Sequence, residues 1–167
     1  MADGVDPARL SLRPITPADM PFLSAVYAST REEELSVVPW TPAQKQAFLQ
    51  AEFEAQHRHY QENYVGASFD LIMLGGEAIG RLYVARWPSE LRIMDIALLP
   101  SWRNRGIGSQ LLAGLLAEAD AAGKDVSLHV EYNNPSRRLY ARLGFEFVET
   151  NGVYQLLRRR AGAQKAR

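Results

Sequence analysis

The sequence predicts a single α/β domain built on a mixed β-sheet, and three observations support this fold class. The chain has 167 residues, a length typical of one domain, and 47% of them are hydrophobic, which is enough for a full core. Residues 69–98 form three apolar segments separated by short turns, which predicts an antiparallel meander. Residues 90–130 then follow as strand, helix and strand, and a crossover of this length predicts parallel pairing of the flanking strands.

A strand and a helix are predicted before the meander. Residues 1–8 show no periodicity and are predicted to be a flexible lead, whereas residues 9–15 alternate and predict a short strand. Thr16-Pro17-Ala18-Asp19 is a helix start, with a capping threonine, a first-turn proline and an acid at the third helical position. This helix is predicted to end near Ser29. Three adjacent glutamates come next, and at least two of them are expected to be solvated: Glu32, Glu33 and Glu34.

The second helix and the meander carry clear local signals. Thr41 and Gln44 form a capping-box pattern that begins a helix over residues 42–63. In the meander, Gly75-Gly76 is a hairpin turn between strands at residues 69–74 and 77–86. Its third strand, residues 90–98, is mostly apolar and leads directly into a glycine-containing loop.

The remaining elements are a helix from Ile107, a strand over 126–130, a short helix over 135–143 and a final hairpin around Asn151-Gly152. The domain is predicted to cover residues 9–158. Residues 159–167 are basic and are predicted to be a disordered, solubilising tail rather than an arm that binds nucleic acid.

Composition excludes several function classes. The chain has no cysteine, which removes disulfides, cysteine metal sites and a thiol nucleophile. The formal net charge is zero, so no global basic field favours nucleic acid. No segment has membrane-spanning length and no signal-peptide pattern is present, so a cytoplasmic protein without a membrane partner is expected. His57 and His59 lie two residues apart on different helix faces, and no metal site is expected.

The loop after the third meander strand is the strongest functional pattern. A strand ends, a helix begins at Gly106 and Gly108, and Arg103 and Arg105 add positive charge. A helix start offers unpaired N–H groups and a partial positive charge, and glycines allow a ligand close to the backbone. The pattern predicts a phosphate or pyrophosphate site, although simple chain reversal also produces it. The dinucleotide motif fails because Leu111 replaces its third glycine, and the Walker motif is absent.

Two blocks of residues resemble one family. Arg103-x-x-Gly106-x-Gly108, after a strand and Pro100, resembles the acyl-CoA motif of the GNAT superfamily of N-acetyltransferases. Residues 128–145 resemble the family's strand, asparagine and helix ending in Tyr-x-x-x-Gly-Phe, here Tyr140 to Phe145. The resemblance covers residues 10–158. It implies a mixed, roughly seven-stranded sheet with helices on both faces, and acetyl-CoA as co-substrate without a metal.

The resemblance also implies cofactor-binding residues. In the family two neighbouring strands splay apart, and the pantetheine arm pairs with the exposed strand backbone. Here that backbone belongs to Ile96, Ala97 and Leu98. The pyrophosphate is expected on the loop amides of Arg103, Asn104, Arg105, Gly106, Ile107, Gly108 and Ser109. Asn134 is the preferred match for the family asparagine and Asn133 the alternative, and an N-cap role before Pro135 is compatible with either.

The implied chemistry is direct attack of an amine on the thioester. Tyr140 stands where the family carries its phenolic acid, and would also lie against the cofactor. His129 is the leading base, since imidazole titrates near neutral pH, with Glu131 second and Asp95 third. Arg92 replaces a glutamate that some members use as base, which excludes a carboxylate base there and suggests an acceptor with an anionic group. One of the glutamates at 32–34, represented by Glu33, is a candidate for holding a cationic amine.

The predicted function is acetyl transfer from acetyl-CoA to a primary amine of a small molecule, an amino acid or a peptide. The alternative is a module of the same fold that senses acyl-CoA without turnover. An unrelated nucleotide-binding domain is a third class, disfavoured by the missing glycine. The resemblance also allows a homodimer.

Overall fold

The computed structural model describes residues 5–163, so the ends of the predicted lead and tail, residues 1–4 and 164–167, lie outside the described residues. Residues 5–163 form seven strands and four α-helices. The strands are β1 (Leu10–Pro14), β2 (Ser68–Leu74), β3 (Glu77–Arg86), β4 (Glu90–Leu98), β5 (Asp125–Glu131), β6 (Glu146–Asn151) and β7 (Tyr154–Arg159). The helices are α1 (Met20–Ser36), α2 (Pro42–Asn63), α3 (Ile107–Ala121) and α4 (Arg137–Arg142).

The strands form one sheet in the order β1-β2-β3-β4-β5-β7-β6. β4 and β5 pair in parallel, whereas β1 with β2, β5 with β7, and β6 with β7 pair antiparallel. The sheet is therefore mixed, and the parallel pairing predicted from the helical crossover is confirmed. Within this single α/β domain, contacts group the chain into two units, one of residues up to Tyr83 with Asp95–Gly108, the other of Val84–Met94 with the residues from Ser109 onward.

The first unit is organised by helix caps and an apolar core. The capping box predicted at the start of α2 is present: the Gln44 amide donates to the Thr41 hydroxyl and the Thr41 amide donates to the Gln44 side chain. Asp19 likewise accepts from the Thr16 amide at 2.7 Å. The fully buried apolar side chains include Leu23, Val26, Phe53, Leu71, Ile72, Ile79 and Leu82.

Helix α1 is longer than the sequence predicted, because it continues to Ser36 instead of ending near Ser29. Leu35 is buried, which anchors the added turns, and Arg31 pairs with Glu34 at 3.0 Å along the helix surface. Glu33 is therefore not in a connecting segment. It is an exposed residue on a helix, and its backbone carbonyl accepts from the Ser36 hydroxyl.

In the second unit, the end of β7 corrects the predicted tail. Arg159 lies in β7, is 5% exposed, and pairs through its guanidinium with Asp120 at 2.8 Å. Arg158 pairs with Glu90 at 2.9 Å. The Ala161 amide also donates to Asp125. The ordered domain thus passes residue 158, because acidic side chains distant in sequence hold these residues in place.

Two smaller differences concern turns. α4 begins at Arg137 rather than at residue 135 and has six residues. The last hairpin pairs Asn151 with Tyr154, so Gly152, at φ 64°, and Val153 form the turn, one residue later than predicted. Among residues 5–163, no helix is both long and apolar enough to cross a bilayer.

Candidate functional site

The glycine-containing loop leads into α3 through two left-handed backbone positions. A short 3-10 turn at Pro100–Trp102 follows β4, and Asn104 and Gly106 then adopt φ 61° and 81°. Gly106 is required here because left-handed backbone strains residues that have a Cβ. A Cβ at Gly108 would meet nothing within 4 Å, so this glycine leaves open space beside the first turn of α3.

The first turn of α3 is chemically suited to an anion. An α-helix leaves its first N–H groups without partners inside the helix, and its dipole places partial positive charge there. The open space at Gly108 allows a phosphate close to these amides. The pyrophosphate contact predicted for this loop stays a prediction, favoured by the helix start and by the open space at Gly108.

Arg103 was predicted to offer its positive charge and its amide to a phosphate, but both groups form hydrogen bonds within the first unit. Its Nε donates to the Leu98 carbonyl at 3.0 Å, its Nη2 donates to the Ser29 hydroxyl at 3.2 Å, and its amide donates to the Pro100 carbonyl at 3.2 Å. The guanidinium of Arg105 lies over the Trp102 ring, 4.9 Å from its centroid. Arg103 thus links the loop to Leu98 and Ser29. The backbone amides of residues 104–109 remain the candidate donors to a phosphate.

The strand backbone predicted for pantetheine lies at the end of β4. The parallel register of β4 with β5 pairs Glu90–Ile93 with Asp125–Leu128, and β4 continues to Leu98. Ile96, Ala97 and Leu98 lie in this continuation. Their side chains are half-buried, so any role in binding would fall to their backbone groups.

Asp95, the third candidate base, is held in a buried ion pair that sequence reasoning missed. The Arg81 side chain is 2% exposed and donates to both carboxylate oxygens of Asp95, at 3.2 and 2.8 Å. Gln56 accepts a further bond from Arg81 at 2.9 Å, and the Tyr60 hydroxyl donates to Asp95 at 3.4 Å. Burial, followed by the Asp95 charge, raises the pKa of Tyr60. The sequence did contain a signal for this ion pair, because Arg81 and Asp95 carry opposite charges and interrupt two consecutive apolar strands, β3 and β4.

The candidate base His129 lies on β5 in the second unit, on the same strand face as Glu131. Partial burial of the imidazole, followed by the charge of Arg92, lowers the pKa of His129 below its usual value, while Glu149 and Glu90 oppose this shift. The lowered pKa favours the neutral imidazole, the form in which a base receives a proton, and part of the side-chain surface stays exposed to solvent.

Arg92 is held by its own neighbours in the second unit. Its Nε donates to the buried Ser127 hydroxyl at 2.7 Å, and its guanidinium lies 5.1 Å from the Trp87 ring centroid and 3.6 Å from Glu90. These contacts hold the Arg92 side chain against Ser127, Trp87 and Glu90. The same contacts occupy the guanidinium that was predicted to bind an anionic group of the acceptor.

Tyr140 and the two asparagines lie around α4. Tyr140 is 7% exposed, and its ring meets Phe145 edge-on at a centroid distance of 5.6 Å. The Asn134 side chain accepts from the Ser136 amide at 2.8 Å in the turn before α4, whose N-cap position is Ser136 rather than the predicted asparagine. Asn133 is exposed in the turn after β5. Both asparagines and Tyr140 remain candidate cofactor contacts.

A separate cavity of about 680 Å³ opens in the first unit. Its lining includes Thr16, His57, Gln61 and Asp70, and it contains none of the predicted site residues. Across residues 5–163, no group of three His, Asp or Glu side chains is arranged to hold a metal ion.

Comparisons with known proteins identify the family and the fold. Residues 25–145 match the model of the acetyltransferase (GNAT) family. A 61-residue stretch is 36% identical to the mouse (Mus musculus) cysteine-rich protein 2-binding protein, and this stretch makes up 36% of this chain and only 8% of that protein's length.

Solved structures show the same fold at low identity. The PaiA N-acetyltransferase of Thermoplasma acidophilum, in complex with coenzyme A, is 15% identical and aligns over 90% of this chain and 98% of its own, with a TM-score of 0.67. Naa50 of Arabidopsis thaliana, in complex with the bisubstrate analogue CoA-Ac-MVNAL, is 17% identical over 90% and 98% of the two chains, with a TM-score of 0.59. With its family model matched over most of its length and this fold, the chain belongs to the acetyltransferase (GNAT) family.

Proposed function

We propose that this protein transfers an acetyl group from acetyl-CoA to a primary amine of a small molecule, an amino acid or a peptide. The observation that carries the proposal is the loop before α3, where Asn104 and Gly106 turn the chain and a Cβ at Gly108 would meet nothing within 4 Å beside the first amides of the helix. A coenzyme A complex of one relative and a CoA-peptide analogue bound to another support this ligand class and a peptide acceptor.

In the proposed complex, the amides of residues 104–109 hold the pyrophosphate and the backbone of Ile96–Leu98 pairs with pantetheine. Asn134, or alternatively Asn133, and Tyr140 add contacts. These interactions fix the thioester carbonyl for attack, which removes the entropic cost of bringing the reactants together.

The proposed reaction is a direct transfer. The amine nitrogen attacks the thioester carbonyl carbon, the carbon–sulfur bond breaks, and the departing thiolate takes the Tyr140 phenol proton. The proton lost by the amine passes to His129, with Glu131 as the alternative base. A lysine-like amine needs about 4.6 kcal/mol to be neutral at pH 7, from a pKa about 3.4 units above that pH. A neutral His129 removes the proton but leaves this equilibrium cost, which positioning offsets.

The test is release of CoA thiol from acetyl-CoA across a panel of amines and short peptides, with wild type beside Tyr140→Phe. Turnover with at least one amine, and a fall in kcat of about 100-fold or more for the variant at unchanged affinity for CoA, supports the enzyme and the acid. Binding of acetyl-CoA without turnover across the panel favours the sensor module. Absence of acetyl-CoA binding contradicts the proposed function.

A further inference from the structure

We propose that Gly80 on β3 is a positioning residue for the cofactor: its missing side chain lets the backbone of Ala97 and Leu98 take the conformation that binds the pantetheine arm. All three residues lie in the first unit. The inference rests on the proposed function, because it concerns the strand segment assigned there to pantetheine.

The evidence is an unusually close approach of two strands. A Cβ at Gly80 would lie 2.2 Å from the Ala97 carbonyl oxygen and 3.0 Å from the Leu98 Cα. Real Cβ atoms essentially never come closer than 3.0 Å to such neighbours, so the Ala97 oxygen would have to move by about 0.8 Å. The third close atom is Leu98 Cδ2, also at 3.0 Å, which belongs to a side chain and can rotate away, whereas the nearest atom, the Ala97 oxygen, belongs to the backbone and cannot.

The backbone conformation at position 80 does not require a glycine. Gly75, in the preceding turn, has φ 60° and is needed for that reason, whereas Gly80 lies in a regular strand outside the left-handed region. In a strand interior, glycine costs entropy and leaves nothing to pack, and a close backbone approach is one of its recognised uses. The close approach to Ala97 is thus what glycine makes possible at position 80.

Two sets of hydrogen bonds hold the end of β4 after Ala97, so the segment cannot move as a whole to make room for an added methyl group. The Leu99 amide donates to the Ile79 carbonyl at 2.9 Å, which ties the end of β4 to β3. The Arg103 side chain donates to the Leu98 carbonyl at 3.0 Å and to Ser29 on α1. With its following residues fixed, the segment would absorb the added methyl group by rotating the Ala97 peptide, which changes the direction of the groups proposed to pair with pantetheine.

The experiment compares Gly80→Ala with Gly76→Ala, a matched control in the same hairpin where a Cβ meets nothing within 4 Å. Calorimetric titration measures the Kd for CoA and for 3′-phospho-ADP, which carries the pyrophosphate without the pantetheine arm. The expected result for Gly80→Ala is a Kd for CoA raised about tenfold, the effect of about one lost hydrogen bond, with the Kd for 3′-phospho-ADP within twofold of wild type. The control is expected to match wild type for both ligands.

Different results would contradict the positioning role of Gly80 and the proposed function. If wild type binds neither ligand, the proposed function fails. If wild type binds both, then an unchanged Kd for CoA in Gly80→Ala, or an equal loss for both ligands, overturns the positioning role. Should Gly80→Ala not fold, Arg103→Gln removes the bond to the Leu98 carbonyl without adding bulk. A selective loss of CoA affinity in that variant supports the role of the segment, and an equal loss for both ligands overturns it.

Discussion

Replacing Asp95 by asparagine tests whether its carboxylate is a structural partner of Arg81. Arg81 is almost fully buried, and both of its bonds to Asp95 join charged groups. Asparagine keeps the shape and one acceptor of aspartate, but it removes the negative charge and points an amide toward the guanidinium. The variant therefore leaves a buried cation without its counter-charge, with one amide oxygen at position 95 and the Gln56 oxygen as acceptors.

The expected loss is about 3–5 kcal/mol of unfolding free energy, the cost of leaving a buried charge without its partner. For a chain of this size each kcal/mol lowers Tm by roughly 2–4 °C, so a fall of roughly 6–20 °C is expected. Replacing both members, as in Arg81→Met with Asp95→Leu, removes the unpaired charge and should recover much of this loss. The coupling energy of the pair follows from a double-mutant cycle that compares this double variant with Arg81→Met and Asp95→Leu alone.

Urea unfolding followed by circular dichroism measures these free energies. The matched control is Arg86→Gln, which breaks an exposed ion pair with Glu118, whose side chains are 38% and 44% exposed, and should cost less than about 1 kcal/mol. If Asp95→Asn costs no more than this control, the buried pair does not carry the stability assigned to it.

Three further predictions concern the loop, the base and acid stability. Gly106→Ala should strain the φ 81° turn by about 1–2 kcal/mol and weaken CoA binding in titrations, whereas Gly123→Ala, at φ 68°, should cost similar stability and leave Kd unchanged; equal Kd values would contradict the loop assignment. If His129 is the base, kcat/KM should fall as the pH is lowered, with a midpoint below pH 6.5. Arg92→Gln removes a positive charge near His129 and should move this midpoint to a higher pH. A midpoint that does not move would exclude His129 as the base whose pKa Arg92 lowers. A neighbouring guanidinium holds the pKa of Asp19 at about 2, so Tm should fall as the pH drops from about 4 to 2, and Asp19→Asn should lack that part of the fall.

Local sequence patterns predicted the elements whose signals are themselves local. The bounds of α2 follow from the capping box at Thr41, and the β2–β3 hairpin follows from Gly75, which adopts the left-handed φ that its turn needs. The parallel pairing of β4 with β5 was also predictable, because a helical crossover permits little else.

The errors fall where distant residues decide the outcome. α1 continues through three glutamates because Leu35 finds a buried position, and no pattern within the segment shows that position. Arg159 appeared to belong to a basic tail because its partner, Asp120, is 39 residues away in the sequence. The Arg81 and Asp95 pair was missed for a different reason, because each charge was considered alone although the two residues lie on consecutive strands, 14 residues apart.

The motif itself shows why residue identity and residue role can diverge. Arginine and glycines at fixed spacing suggested a positively charged phosphate pocket, yet the Arg103 guanidinium is engaged with Leu98 and Ser29 and its amide with Pro100. The glycines, in contrast, do what their chemistry suggests: Gly106 turns the chain and Gly108 clears the first turn of α3. In the proposed site, phosphate recognition therefore depends on backbone amides, and Arg103 acts by joining the loop, the end of β4 and α1. Since Gly80 shapes the same end of β4, the residues that prepare the proposed cofactor site act mainly on backbone geometry.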